Sequence, residues 1–174
     1  MKKFIIYAAC GAIVLSLVGC GKSPQKIEGE NTNKISSENS MEIPSPFKEC
    51  ETLQEAEKLT GFKVTIPTKF PKGYVQDSIY VIENELIQVI YSDGENEICF
   101  RQAKGNEDIS GDYNEYEEIN TINVSGVEVR TKGNNGKVNL ASWTKDGYAF
   151  SISSNSSGEG LENSVIDDMI DSVR

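Results

Sequence analysis

Between Val75 and Ser153 the chain repeats one pattern: a run of five to nine residues rich in Val, Ile, Thr and aromatics, then in all but one case a break too short for anything but a hairpin. The runs fall near 75–82, 86–92, 97–103, 116–124, 127–131, 137–143 and 148–153. The breaks are Glu83-Asn84-Glu85, Asp93-Gly94-Glu95-Asn96, Ser125-Gly126, the stretch around Gly133 to Gly136, and Asp146-Gly147; only the polar stretch before 116 is longer. Tight turns join antiparallel neighbours, because a parallel pair needs a crossover of a dozen residues or more. The pattern therefore predicts an antiparallel meander of about seven strands. An alternating stretch from Phe62 to Ile66 adds a strand ahead of them, broken off by Pro67 and Pro71.

Helical signals sit at both ends of this run. Thr52-Leu53-Gln54-Glu55 has capping-box spacing, Leu53, Ala56 and Leu59 share a face, and Gly61 suits a left-handed closing position, which predicts a helix over 52–60. Leu161, Val165, Met169, Ile170 and Val173 recur at helical spacing opposite Glu162, Asp167, Asp168 and Asp171, which predicts an amphipathic helix over 158–173. The fold class expected is α+β: an antiparallel sheet with an N-terminal and a C-terminal helix packed on it. Residues 47–174 suit one domain with one core.

The chain upstream of that domain reads differently. Lys2 and Lys3 precede fifteen uncharged residues, Phe4 to Val18. As helix these reach roughly 22 Å, short of about 30 Å of hydrocarbon. Such a run suits a signal-peptide core better than a permanent span. It ends in Leu17-Val18-Gly19-Cys20, which resembles the lipobox of bacterial lipoproteins and implies cleavage after residue 19 and diacylation of Cys20. Cys10 is no rival, since Tyr7-Ala8-Ala9 lacks the aliphatic residue that opens such a box. Residues 21–46 are rich in Ser, Asn, Glu, Lys and Pro and have no aromatic, too little to bury a core. With Cys20 they form a tether, 20–46, expected to hold the domain off the outer face of the cell membrane.

Charge narrows the partners. Loss of Lys2 and Lys3 moves the formal balance from −10 to −12, which repels nucleic acid and anionic headgroups. The chain has no histidine, so the commonest general base and the commonest transition-metal ligand are both missing.

Within the domain, Gly61-Phe62-Lys63-Val64, Ile66-Pro67, Phe70-Pro71-Lys72-Gly73-Tyr74, Ile90-Tyr91-Ser92, Arg101-Gln102-Ala103-Lys104-Gly105, Asp108-Ile109-Ser110-Gly111-Asp112-Tyr113-Asn114 and Trp143 form a series. It resembles the family catalogued as domain of unknown function 4367, found in lipoproteins and exported regions of Gram-positive bacteria. The resemblance spans nearly all of 47–174 and is most specific from Arg101 to Asn114. It implies a binding or sensing domain outside the cell and carries over no catalytic residue.

Each possible site competes with a plainer account. Tyr80, Tyr91, Phe100, Trp143, Tyr148 and Phe150 are better read as sheet core than as a ligand platform. Ser142-Trp143-Thr144-Lys145 has the Ser-x-x-Lys spacing of penicillin-recognising enzymes, but on a strand and without their other motifs, so chance accounts for it. With Cys10 removed and Cys20 lipidated, Cys50 and Cys99 remain, and in an exported chain a disulfide between them is favoured over two separate thiols. Asn106, Asp108 and Ser110, with Gly111 at the sixth position and Glu117 at the twelfth, have the spacing of a calcium loop. Asn106 stands where aspartate is usual and the flanks read as strands, so a solvated acidic loop, with Gly111 and Asn114 in turns and Asp112 bonding backbone, is the simpler expectation. No cofactor other than calcium is suggested. The function expected is a noncatalytic binding or sensing module on the membrane surface, its ligand an unidentified envelope component. An exported hydrolase using acidic residues and a structural envelope domain are the alternatives.

Overall fold

A computed structural model describes residues 45–154 and 159–173; the signal run, Cys20 and nearly all of the tether lie outside these. The turns anticipated from the sequence are made, except that the break read around Gly133 to Gly136 narrows to Asn135-Gly136, Gly133 and Asn134 belonging to the strand before it. Ser125-Gly126, Asn135-Gly136 and Asp146-Gly147 each hold two successive positive φ angles, 49° and 87°, 55° and 75°, 52° and 81°. Two consecutive left-handed residues match the right-handed twist of the strands they join.

The strands so joined are β1 (Lys48–Cys50), β2 (Val75–Ile82), β3 (Leu86–Ser92), β4 (Glu97–Lys104), β5 (Glu118–Val124), β6 (Val127–Asn134), β7 (Lys137–Lys145) and β8 (Tyr148–Ser154), with helices α1 (Leu53–Thr60) and α2 (Asn163–Asp171). They form a single antiparallel sheet of eight strands in the order β1-β2-β3-β4-β8-β7-β6-β5. The expectation of one meander is corrected here. Each half is a meander, but the long β4–β5 connection carries β5 to the far edge, so the chain works back and β8 pairs with β4.

Two further expectations change. Residues 62–66 are not a strand: their backbone is held by side chains instead of a ladder. Val64 N donates to Glu57 Oε1 (3.0 Å), Thr65 N to Gln102 Oε1 (2.8 Å), and Gln102 Nε2 to the Lys63 carbonyl (3.2 Å). The extra strand is β1, pairing Cys50 with Ile79. At the other end α2 starts at 163 and not at 158, because Leu161 is drawn into an isolated bridge with Val138, their amides and carbonyls meeting twice at 2.8 Å. Helix α1 keeps its cap, Glu55 N donating to Thr52 Oγ1 at 3.2 Å, and closes on Gly61 at φ 71°.

One face of the sheet carries the core. Ile79, Val89, Phe100, Ile152 and Ala141 lie side by side across β2, β3, β4, β8 and β7, all buried. Ala56 of α1 and Ile166, Met169 and Ile170 of α2 close over this inner face with the coil between Phe62 and Phe70. Ser172, itself buried, accepts the amides of Thr68 and Lys69 on its hydroxyl (3.0 and 3.1 Å), which stitches that coil to the end of α2. Most of the aromatics expected in the core are there: Trp143 stacks on Phe150 at 5.2 Å, Phe100, Trp143, Phe150 and Tyr91 are buried, and Tyr148 packs against them half-buried. Tyr80 is a correction, half-buried in the same cross-strand row as Gln88 and Arg101 on the other face.

Tyr91 stacks on Phe70 at 3.9 Å and buries a hydroxyl that has no partner among the described residues. Burial pushes that phenol up to about 12. A pKa raised on folding leaves stability untouched below the unfolded value, about 10, and removes it as pH climbs from there toward 12. Tyr91→Phe is therefore expected to match or exceed the parent in stability at pH 7, since an unpaired buried hydroxyl costs about 1–3 kcal/mol. Thermal melts at neutral pH and in the pH 10–12 window, flatter for the variant, check this. A variant less stable at pH 7 would show that the hydroxyl is held.

Candidate functional site

Alternation along β4 sends Phe100 and Gln102 to the inner face and Cys99 and Arg101 to the outer one. Across the outer face Arg101 lies in a row with Gln88 on β3 and Ser151 on β8. No helix among the described residues covers this face. The β4–β5 connection, residues 105–117, does so instead, as a strap tied down at Arg101.

The tie is made of backbone. Arg101 donates from Nη1 to the carbonyls of Ile109 (3.0 Å) and Ser110 (2.7 Å) and from Nε to Gln88 Oε1 (2.8 Å), while its guanidinium lies 5.8 Å from the ring centre of Phe47. Gly111 belongs to the same contact: its φ is +62°, and a β-carbon there would collide with Arg101 Nη1. Only glycine satisfies both conditions without strain.

The strap then holds itself at two-residue intervals. Asp108 Oδ1 accepts from Ser110 N (2.9 Å), Ser110 Oγ from Asp112 N (3.3 Å), and Asp112 Oδ1 from Asn114 N (2.8 Å). These are side-chain-closed turns of the kind Ser, Asp and Asn make with their own backbone. Tyr116 adds a hydroxyl bond to Asp112 Oδ2 at 2.5 Å, and burial together with that carboxylate pushes its phenol up to about 12. Burial works against the charge on Asp108, but the Ser110 bonds and the nearby Lys132 and Arg130 outweigh it and hold the carboxyl below its ordinary range.

Two clefts flank the strap. The larger, about 510 Å³, lies between residues 110–116 and strands β3, β4 and β8, with Gln88, Cys99, Arg101 and Ser153 in its wall. The smaller, about 240 Å³, lies between residues 106–109 and strands β6 and β7, against Arg130 and Ser142.

The residues singled out from sequence fall as follows. Asn106 and Asp108 line the smaller cleft, Ser110 the larger, and Glu117 neither; its amide donates to Asn134 Oδ1 (2.9 Å) at the start of the β5–β6 pair. Of the four calcium candidates, Asp108 is bonded to Ser110 and shares the smaller cleft with Asn106, Glu117 lines neither cleft, and the loop is flanked by strands where an EF-hand has helices. Gly111, Asn114 and Asp112 do what a turn-closed loop asks of them.

The disulfide is a correction. Cys50 and Cys99 are free thiols. Cys50 shares the inner-face row with Ile79, Val89 and Phe100, while Cys99 faces outward beside Ser153. Three strand spacings of about 4.8 Å put some 14 Å between their backbones, against a limit of about 7 Å for a bridge. Burial raises the Cys99 thiol, a shift that Arg101 opposes, so it stays protonated at neutral pH. Ser142 and Lys145, three apart on β7, point to opposite faces and cannot work as a pair.

Sequence reading missed Arg101, Gln88, Tyr113 and Tyr116 as site residues, although Arg101 to Asn114 was the most specific part of the resemblance. Tyr113 stands 95% exposed on the strap, at the edge of the larger cleft.

Among known families, the one described as Domain of unknown function (DUF4367) matches residues 64–164, from just after α1 into the start of α2. No curated protein and no solved structure matches the chain.

Proposed function

For a chain that belongs to the family described as a domain of unknown function, DUF4367, we propose the role of a noncatalytic binding module, lipid-anchored through Cys20 on the extracytoplasmic side of the membrane, that takes its ligand in the larger cleft beside the strap. The observation carrying this reading is the strap itself. Thirteen residues of connection are folded back over a sheet face and held there by a part-buried arginine, which creates a walled cleft where an uncovered antiparallel sheet would be flat.

Chemistry in the cleft supports binding over turnover. A nucleophile needs a base within hydrogen-bond reach, and the Cys99 thiol is bonded to Arg101 and Ser153, while the Glu97 carboxylate acts on it only through its charge and raises the thiol further. The Asp112 carboxylate in the same wall is engaged by Asn114 and Tyr116.

The test is to incubate the full chain with purified cell-envelope material and follow both retention and product release. Retention without soluble product is expected. Product release that a single Asp or Glu substitution abolishes in a still-folded protein would replace this reading with a hydrolase.

A further inference from the structure

The ligand class follows from which groups in the larger cleft are already engaged. Of the charged side chains in its wall, Arg101 directs Nε and Nη1 to Gln88 and to two strap carbonyls, and Asp112 takes three hydrogen bonds from Asn114 and Tyr116. An anionic ligand could reach Nη2 but could not be held by a two-toothed guanidinium fork without displacing Gln88 or the carbonyls that hold the strap down, and a cationic one would compete with the bonds that shape it. Glu97, also in the wall, is exposed, so water and salt screen it.

What remains is neutral. Gln88 gives its amide oxygen to Arg101 and has its NH₂ left as donor; Asn114 donates its amide to Asp112 and has its carbonyl left as acceptor; Ser153, which also meets the Cys99 thiol, adds a hydroxyl. Beside them stands the Tyr113 ring, 95% exposed. An aromatic side chain left almost wholly in water at the rim of a polar cleft offers a flat apolar face next to mixed donors and acceptors. A pyranose ring matches this: one face of C–H bonds to lie on the ring, and an edge of hydroxyls that both give and receive. The cleft's 510 Å³ lies within the range of about 300–1,000 Å³ typical of small-molecule sites.

We propose that the larger cleft binds an uncharged polyhydroxylated ligand, a neutral glycan, with Tyr113 as the stacking residue and Gln88, Asn114 and Ser153 as the polar contacts. This rests on the binding-module reading above and goes on to name its ligand class.

The experiment is calorimetric titration of the full chain with uncharged hexose and N-acetylhexosamine oligosaccharides, beside spermine as a cationic probe and oligogalacturonate as an anionic one. A sedimentation arm with insoluble neutral polysaccharide separates polymer from free sugar as the source. Binding to at least one neutral oligosaccharide is expected, weakened about tenfold or more by Tyr113→Ala, little changed by Tyr113→Phe, and insensitive to salt between about 0.1 and 0.5 M. Because Tyr113 is exposed, its replacement leaves the fold intact, and an unchanged melting temperature confirms that. Failure of every neutral saccharide, or binding that Tyr113→Ala leaves untouched, overturns the glycan proposal. Salt-sensitive binding of spermine or oligogalacturonate alone does so too, yet spares the binding-module reading, as does retention on envelope material without saccharide binding.

Discussion

Cys20→Ser is expected to move the protein out of the membrane fraction, so that high-salt washing leaves none behind. The reasoning is chemical. The lipobox enzyme chemistry joins a diacylglyceryl group to a sulfur, and serine offers none. Each buried methylene contributes about 0.8 kcal/mol, and one acyl chain alone gives only marginal attachment, so the two-chain anchor is the difference between staying and leaving. Among the described residues nothing offers an equivalent hold: no helix there is long and apolar enough to cross a membrane, and a formal charge of −10 is repelled by anionic headgroups. Fractionation with salt washing, and intact mass of the amino terminus, measure it. A Cys20→Ser protein that resists the wash means that Phe4 to Val18 is an uncleaved anchor.

The parts of the fold written locally were legible. Asn135-Gly136 and Asp146-Gly147 demand positive φ at both positions and so mark two of the hairpins, and Thr52 and Gly61 bracket α1 because their roles depend on neighbours a few residues away. What escaped was written across the sheet. Whether β8 returns to β4 or continues a meander is decided by which apolar rows align after a thirteen-residue connection, and no short-range pattern records that. The same holds for Cys50 and Cys99. Their faces follow from a register that runs through β2 and β3, where a shift of one residue would have reversed the answer.

Residues 62–66 misled for a different reason. Phe62, Val64 and Ile66 do line the core in alternation, but the amides of Val64 and Thr65 are met by the side chains of Glu57 and Gln102, so strand-like periodicity appears without a strand. The site was hidden by the nature of its bonds. Arg101 holds carbonyls, which every residue possesses, so its partners Ile109 and Ser110 have no compositional signature. Gly111 was the one trace of the contact, and it fits an EF-hand position as readily as a close approach to a guanidinium.

Adjacent positions on β4 should respond in opposite ways, and Phe100→Ala is where the larger loss of stability is expected. Phe100 is 0% exposed, sits between Val89 and Ile152 in the central row, and has Phe150 6.3 Å away. Truncating such a side chain removes its transfer free energy and leaves a cavity that strands hydrogen-bonded on both sides cannot close. The cost is about 3–5 kcal/mol, against a typical total of about 5–15 kcal/mol for a domain. A fall in melting temperature of roughly 10–20 °C follows for a domain of this size. Arg101, one residue on, faces the strap and not the core, so Arg101→Gln is expected to leave the melt within a few degrees while hydrogen exchange of residues 105–117 accelerates. Chemical denaturation of both variants, read beside exchange mass spectrometry, separates the two effects. If Arg101→Gln lowered stability as much as Phe100→Ala and left strap exchange unchanged, the arginine would be part of the core assembly and the strap would be held by its own turns.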